Sequence, residues 1–198
     1  MKLTELLLAS NNEHKHAEFA RLFPGTRILV PAEAGVESDF AEDGATFLDN
    51  ALGKALALHR VARRPVIADD SGLCVHALGG EPGIFSSRYG SSGSGRLAAP
   101  ERNAYLLERM RDASDRRAYF VCCLALVLEE DRLFVAQETV HGVIARKPRG
   151  TGGFGYDPLF ILPERGLTVA ELPDAEKDLV SHRGRAARRI LALMAGPE

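Results

Sequence analysis

The sequence predicts an α/β protein built on a mixed β-sheet flanked by helices, and three observations carry that prediction. Short apolar runs alternate with amphipathic stretches along the first half of the chain, the pattern of strands and helices taken in turn. Two long strand-like runs, 117–128 and 133–144, flank Glu129-Glu130-Asp131-Arg132 as a hairpin would, which brings antiparallel pairing into an otherwise parallel arrangement. With 198 residues, 45% of them hydrophobic and 26% charged, the chain can bury one sizeable core without covalent cross-links.

The elements follow in order. Residues 3–9 form an apolar run broken by Ser10-Asn11-Asn12, a buried strand entering a loop. Asn11 or Asn12 caps the next helix, whose apolar positions include Ala17, Ala20, Leu22 and Phe23, and Pro24-Gly25 ends it. Residues 27–30 read as a second strand. After an acidic stretch at 37–43, residues 46–62 show helical spacing at Phe47, Ala51, Leu52, Ala55, Leu56 and Leu58. Residues 65–68 form a short strand running into Asp69-Asp70-Ser71-Gly72, with a second apolar piece at 73–78. The Gly- and Ser-rich stretch 79–96 reads as a mobile surface loop, and 99–110 as a helix with Pro100 in its first turn. Residues 145–158 are loop again, and 178–194 form a closing helix carrying Leu179, Ile190, Leu191 and Met194. No repeat or linker divides the chain, so 1–198 is expected to be one domain.

Composition narrows the function. The 25 basic and 27 acidic residues leave a formal charge of −2, without the basic footprint of a nucleic-acid or membrane-surface binder. The longest apolar run, 118–128, falls short of the roughly 20 residues that span a bilayer. The N-terminal run is too short for a secretory signal and Glu5 interrupts it. Cys74, Cys122 and Cys123 lack metal-site spacing and cannot all pair, which reads as reduced, buried thiols in a cytoplasmic protein.

Four polar clusters fall at strand ends or in Gly-rich loops, where α/β proteins place ligands. Ser10-Asn11-Asn12 with Lys15 puts a helix N-terminus and a point charge where a phosphate would bind, though a capped surface helix with a solvated lysine has the same sequence. Asp69-Asp70 at a strand end offers the hard oxygens that Mg²⁺ takes together with phosphate oxygens; an Asx turn is the alternative. Neighbouring side chains in a strand point oppositely, so the two need not face one ion. In Gly150-Thr151-Gly152-Gly153-Phe154-Gly155-Tyr156-Asp157-Pro158 the glycines allow close approach to a ligand and Phe154 or Tyr156 can stack on a base; a turn with a packed aromatic accounts for the same residues. No Lys-Ser/Thr follows, so this is not a phosphate loop of the GxxxxGK kind. Lys177 with Ser181-His182-Arg183-Gly184-Arg185 gathers donors ahead of an apolar helix.

Taken in register, ASNNEHKHAEF, TFLDNALGKA, IADDSGLCVHALGGEPGIFSSRYG, GTGGFGYDPLF, TVAEL and EKDLVSHRGRA resemble the inosine triphosphate pyrophosphatase family from Leu8 to Ala186. The resemblance implies an elongated mixed α/β fold of two lobes with a substrate cleft between them, in a cytoplasmic homodimer. The activity it implies is Mg²⁺-dependent hydrolysis of ITP, dITP and XTP to monophosphate and pyrophosphate. By position it assigns the triphosphate to Ser10, Asn11, Asn12, Glu13, His14 and Lys15, with Lys54 nearby and Ser71 as a further substrate contact. Asp70 matches the proton acceptor and Mg²⁺ ligand, with Asp69 beside it and Glu42, or its neighbour Asp43, as another ligand. Phe154, Gly155, Tyr156, Asp157, Lys177, His182 and Arg183 match the base-binding set, Arg183 or Lys177 facing the 6-oxygen. The chain departs from the family pattern at His14, at Asp49 in place of a glutamate, and at Ala41-Glu42 in place of an acidic pair. Neither nucleic acid nor membrane is implied as a partner.

Overall fold

Among the described residues, seven strands and five α-helices place these clusters. The strands are β1 (Glu5–Leu8), β2 (Arg27–Leu29), β3 (Val66–Val75), β4 (Arg117–Glu129), β5 (Arg132–Ile144), β6 (Phe160–Leu162) and β7 (Leu167–Thr168). The α-helices are α1 (Glu13–Leu22), α2 (Phe47–Ala62), α3 (Ala99–Arg109), α4 (Asp174–Val180) and α5 (His182–Ala195). The computed structural model describes residues 3–37, 40, 42–91 and 95–196. Parts of two expected segments, 38–39 and 41 of the acidic stretch and 92–94 of the Gly/Ser stretch, therefore lie outside the described residues.

One sheet runs in the order β2-β1-β3-β4-β5-β6-β7. Strand β1 pairs in parallel with β2, Leu6 opposite Ile28, and with β3, Leu8 opposite Ile67. Strand β6 pairs antiparallel with β5 and with β7. The sheet is mixed, as the alternation and the hairpin predict.

The chain forms two compact units, 1–70 with 122–138 and 182–198, and 71–121 with 139–181. In the first, strand alternation sorts side chains onto two faces. Leu6, Leu8, Ile67, Cys122, Leu124 and Leu126 pack with Phe19 and Phe23 of the α1 region and with Ala186, Ala187 and Ile190 of α5. Leu7, Val66, Ala68, Cys123, Ala125 and Val127 pack with Ala51, Ala55 and Leu58 of α2. The second unit has its own core, in which Leu73, Val75, Phe120, Val140 and Phe160 surround Leu106 and Met110.

Three expectations need correction. The pieces 65–68 and 73–78 are one ten-residue strand, because Asp69 and Asp70 are buried and paired with cations rather than exposed in a turn. The closing helix is two: Ser181, extended at φ −67 and ψ 155, separates α4 from α5. The Gly/Ser stretch is tied down over its described part, since Ser86 Oγ accepts the Leu73 N–H at 2.8 Å and the Tyr89 hydroxyl donates to Glu81 at 2.8 Å. Strands β6 and β7 lie in residues the sequence left unassigned; at three and two residues they are too short to show a period. No helix among the described residues is long and apolar enough to cross a membrane.

Candidate active site

The turn after β1 is set by its own side chains. Ser10 Oγ accepts the Asn12 N–H, and Asn12, the N-cap of α1, accepts the amides of His14 at 2.9 Å and Lys15 at 3.2 Å. Asn12 thereby satisfies first-turn donors that would otherwise be orphaned, fixing the direction of α1. Glu13 and His14 are exposed on that turn, while Lys15 is half-buried and reaches across to β3.

At the end of β3 within this unit the two adjacent acids go opposite ways. Asp69, fully buried, lies on the face shared with α1 and α5. Its Oδ1 accepts Lys15 Nζ at 2.5 Å, and its Oδ2 accepts Arg183 Nε at 2.7 Å and the Cys122 thiol at 3.2 Å. Asp70 lies on the α2 face, where Asn50 Nδ2 donates to Oδ2 at 3.1 Å and Lys54 Nζ stands 3.4 Å from Oδ1. The same Lys54 ammonium donates to Glu42 at 2.6 Å and to the Asp69 carbonyl at 2.8 Å. Asn50 Oδ1 in turn accepts the Gly44 N–H, which anchors the segment carrying Glu42 to α2.

These surroundings push the two carboxyls apart. Burial drives the Asp69 carboxyl up, but the charges of Arg183 and Lys15 more than reverse this and hold it well below the usual carboxylate range. Burial likewise raises Asp70, and there Lys54, Lys15 and the Asn50 hydrogen bond only partly offset it, so its carboxyl stays above the usual value. Burial lowers Lys54, yet Asp70 and Glu42 outweigh it and keep the ammonium charged.

Whether the residues suit Mg²⁺ can be judged from this donor set. Among the described residues no cluster of three or more His, Cys, Asp or Glu side chains is poised around one point. Mg²⁺ does not require one: it commonly takes one or two carboxylates and fills its remaining positions with water and substrate phosphate oxygens. Asp70 and Glu42, which share the Lys54 ammonium, meet that requirement. Asp69 does not, because it faces the other side of the sheet and both its oxygens are taken by Lys15, Arg183 and Cys122. Of the three expected ligands, the structure brings Glu42 and Asp70 together and carries Asp69 away.

The expected base-binding residues of the second unit form a separate cluster. Asp157 Oδ2 accepts both the Phe154 N–H at 2.8 Å and Lys177 Nζ at 2.7 Å, and Lys177 Nζ stands 5.0 Å from the centre of the Phe154 ring. Gly153 has φ +66, and a Cβ there would come within 2.1 Å of Asp157 Oδ2, so the loop closes on the carboxylate only because this residue is glycine. Tyr156 is buried in the core with its hydroxyl donating to the Ser86 carbonyl, which leaves Phe154, half-buried, as the ring suited to stacking. Ser71 opens the second unit's part of β3. His182 and Arg183 begin α5 in the first unit, and both are buried.

Sequence reasoning missed four polar residues that build these clusters. Glu18 accepts Arg183 Nη1 at 2.7 Å, Asn50 holds Asp70, Cys122 donates to Asp69, and Asn103 of α3 donates to the Gly155 carbonyl at 3.1 Å. A signal existed for two of them: Asn50 and Glu18 fall in phase with the apolar stripes of their helices, next to Ala51 and Phe19, where a polar side chain needs a buried partner.

Comparison with known proteins identifies the family. The sequence profile of the Ham1 family matches residues 6–193. A Thermus thermophilus protein named dITP/XTP pyrophosphatase is 51% identical over 191 residues, covering 94% of this chain and 90% of its own. A Treponema denticola protein of the same name is 43% identical over 192 residues, covering 97% and 99%. The solved structure of a HAM1 protein from Coxiella burnetii has a TM-score of 0.86 at 38% identity, covering 98% of this chain and all of that one. Sequence and fold agree nearly end to end, and the chain belongs to the Ham1 family.

Proposed function

We propose that this chain is a nucleoside-triphosphate pyrophosphatase that hydrolyses the non-standard purine nucleotides ITP, dITP and XTP to monophosphate and pyrophosphate with Mg²⁺. The observation that carries the reading is the pairing of two lysines with three acids in one unit: Lys15 with Asp69, and Lys54 with Asp70 and Glu42. Relatives covering nearly the whole chain carry the name dITP/XTP pyrophosphatase, which supports the substrate class.

Asp70 and Glu42 would hold the Mg²⁺, which when bound neutralises charge on phosphate oxygens and acidifies water. Lys15 and Lys54 hold the phosphate chain as point charges. Asp70, with its carboxyl raised, accepts the proton of the water that attacks the α-phosphorus. The new oxygen–phosphorus bond forms there, the α–β bridging bond breaks, and pyrophosphate leaves. Asn50 donates to the same carboxylate and so fixes which oxygen is presented.

Base selection falls to Lys177 as the donor to a 6-oxygen, with the Phe154 ring beside it for stacking. The amino group of adenine would set donor against cation, and a site built around a hydrogen bond discriminates strongly against such an analogue. We further propose a cytoplasmic homodimer without nucleic-acid or membrane partners, a reading that the family resemblance supports.

The test measures phosphate released from ITP, dITP, XTP, dTTP and ATP with Mg²⁺ and added inorganic pyrophosphatase. We expect kcat/KM for the first three to exceed that for ATP and dTTP by at least about 100-fold. Equal rates across the panel, preference for dTTP, or binding of ITP without turnover would overturn the reading.

A further inference from the structure

Four charged side chains join α1, β3 and α5 in a closed ring. Lys15 donates to Asp69 Oδ1, Asp69 Oδ2 accepts Arg183 Nε at 2.7 Å, and Arg183 Nη1 donates to Glu18 at 2.7 Å. The ring closes through the helix itself, because Glu18 lies one turn from Lys15 on the same side of α1. Glu18 is 5% exposed, Arg183 2% and Asp69 0%, so solvent screens these pairs weakly. The Asp69 carbonyl also lies 3.4 Å from Lys15 Nζ and 2.8 Å from Lys54 Nζ, which places both lysines on this one residue.

We propose that Glu18 is a positioning residue for the triphosphate: by taking part of the Arg183 charge, it leaves Asp69 able to hold Lys15 where the phosphates bind. Asp69 divides its charge between two cations, and Arg183 divides its charge between two carboxylates. Without the Glu18 charge, Arg183 draws Asp69 more strongly and Lys15 loses its anchor. The ammonium then samples positions away from the phosphate chain. This inference rests on the pyrophosphatase reading, and it concerns binding of the phosphates rather than the bond-breaking step.

The experiment compares wild type with Glu18→Gln in ITP hydrolysis, with inorganic pyrophosphate and inosine monophosphate as product inhibitors. Expected are rises of about tenfold in KM for ITP and in the inhibition constant for pyrophosphate, with kcat and the monophosphate constant within about threefold of wild type. A fall in thermal midpoint with both binding constants unmoved overturns the role, since a purely structural residue gives that result. A rise confined to the monophosphate also overturns it, because Glu18 would then act on the base side through Arg183. Should Glu18→Gln not fold, Glu18→Asp decides: its shorter reach predicts the same pattern at about threefold, and an unchanged pyrophosphate constant overturns the proposal. A wild type that does not hydrolyse ITP overturns the proposed function and this inference with it; an active wild type with unmoved constants overturns only the inference.

Discussion

Replacing Asp157 by asparagine tests the cluster behind Phe154. The substitution keeps a side-chain oxygen for the Phe154 N–H but removes the charge opposite Lys177, whose side chain is only 3% exposed. Removing one partner of a buried ion pair costs roughly 3–5 kcal/mol, because the remaining charge stays desolvated. The Phe154 ring, 5.0 Å from Lys177 Nζ, is present in both proteins and offsets nothing new, so the expected loss is about 3 kcal/mol. For a chain of this size that corresponds to roughly 6–12 °C in thermal midpoint. The assay is urea and thermal unfolding of Asp157→Asn, Lys177→Met and the double variant. The double variant buries no charge and should lose less than the two single losses added, with a coupling of about 2 kcal/mol or more. A single-variant loss below about 1 kcal/mol, or strict additivity, would refute the claim that the pair is buried and mutually dependent.

Two further predictions concern the first unit and the pH response of the whole chain. Asp70→Asn should lower kcat for ITP by about 100-fold or more while leaving KM within a few-fold, and near wild-type turnover would remove Asp70 as proton acceptor. Burial raises the thiols of Cys74 and Cys122 above their ordinary 9.0 and takes Cys123 to about 11, and it raises the hydroxyls of Tyr89 and Tyr156 above 10.0. The unfolded chain therefore releases these protons first, so their contribution to stability is complete below about pH 8.5 and is lost as pH rises from there. Urea unfolding should give a smaller free energy at pH 10 than at pH 7.5; a flat or rising profile would contradict the burial of these groups.

What the sequence shows and what it hides have the same cause. The first strand is legible as a short apolar run, Leu6, Leu7 and Leu8 being buried on both faces, and the longer helices by apolar spacing such as Ala51, Ala55 and Leu58. Where a polar side chain occupies an apolar position, the reading fails. Asp69 and Asp70 looked like the end of a strand, yet β3 continues to Val75 because each acid finds its cations in elements distant in sequence, Lys54 in α2 and Arg183 in α5. The break at Ser181 was hidden in the same way, since Lys177 and Arg183 read as one basic helix start while each is drawn to a different carboxylate. Glu42 shows a third case. The sequence sets it beside Asp43 without distinguishing the two, and its pairing with the Lys54 ammonium, a turn beyond Asn50, shows only in the fold.

The two adjacent acids also show how a single strand end can supply both a fixed anion and the base proposed above. A pleated strand turns successive side chains to opposite faces, so Asp69 meets the cations of α1 and α5 while Asp70 meets α2 and its lone lysine. Two strong cation contacts with its oxygens make Asp69 a permanent carboxylate, which is too weak a base to take a proton but well suited to holding Lys15. Burial with weaker compensation leaves Asp70 the better proton acceptor. Exchanging the two roles would require moving the arginine of α5 to the other side of the sheet. The division of labour is thus set by strand geometry and by which helix brings its cations to which face, before any substrate arrives.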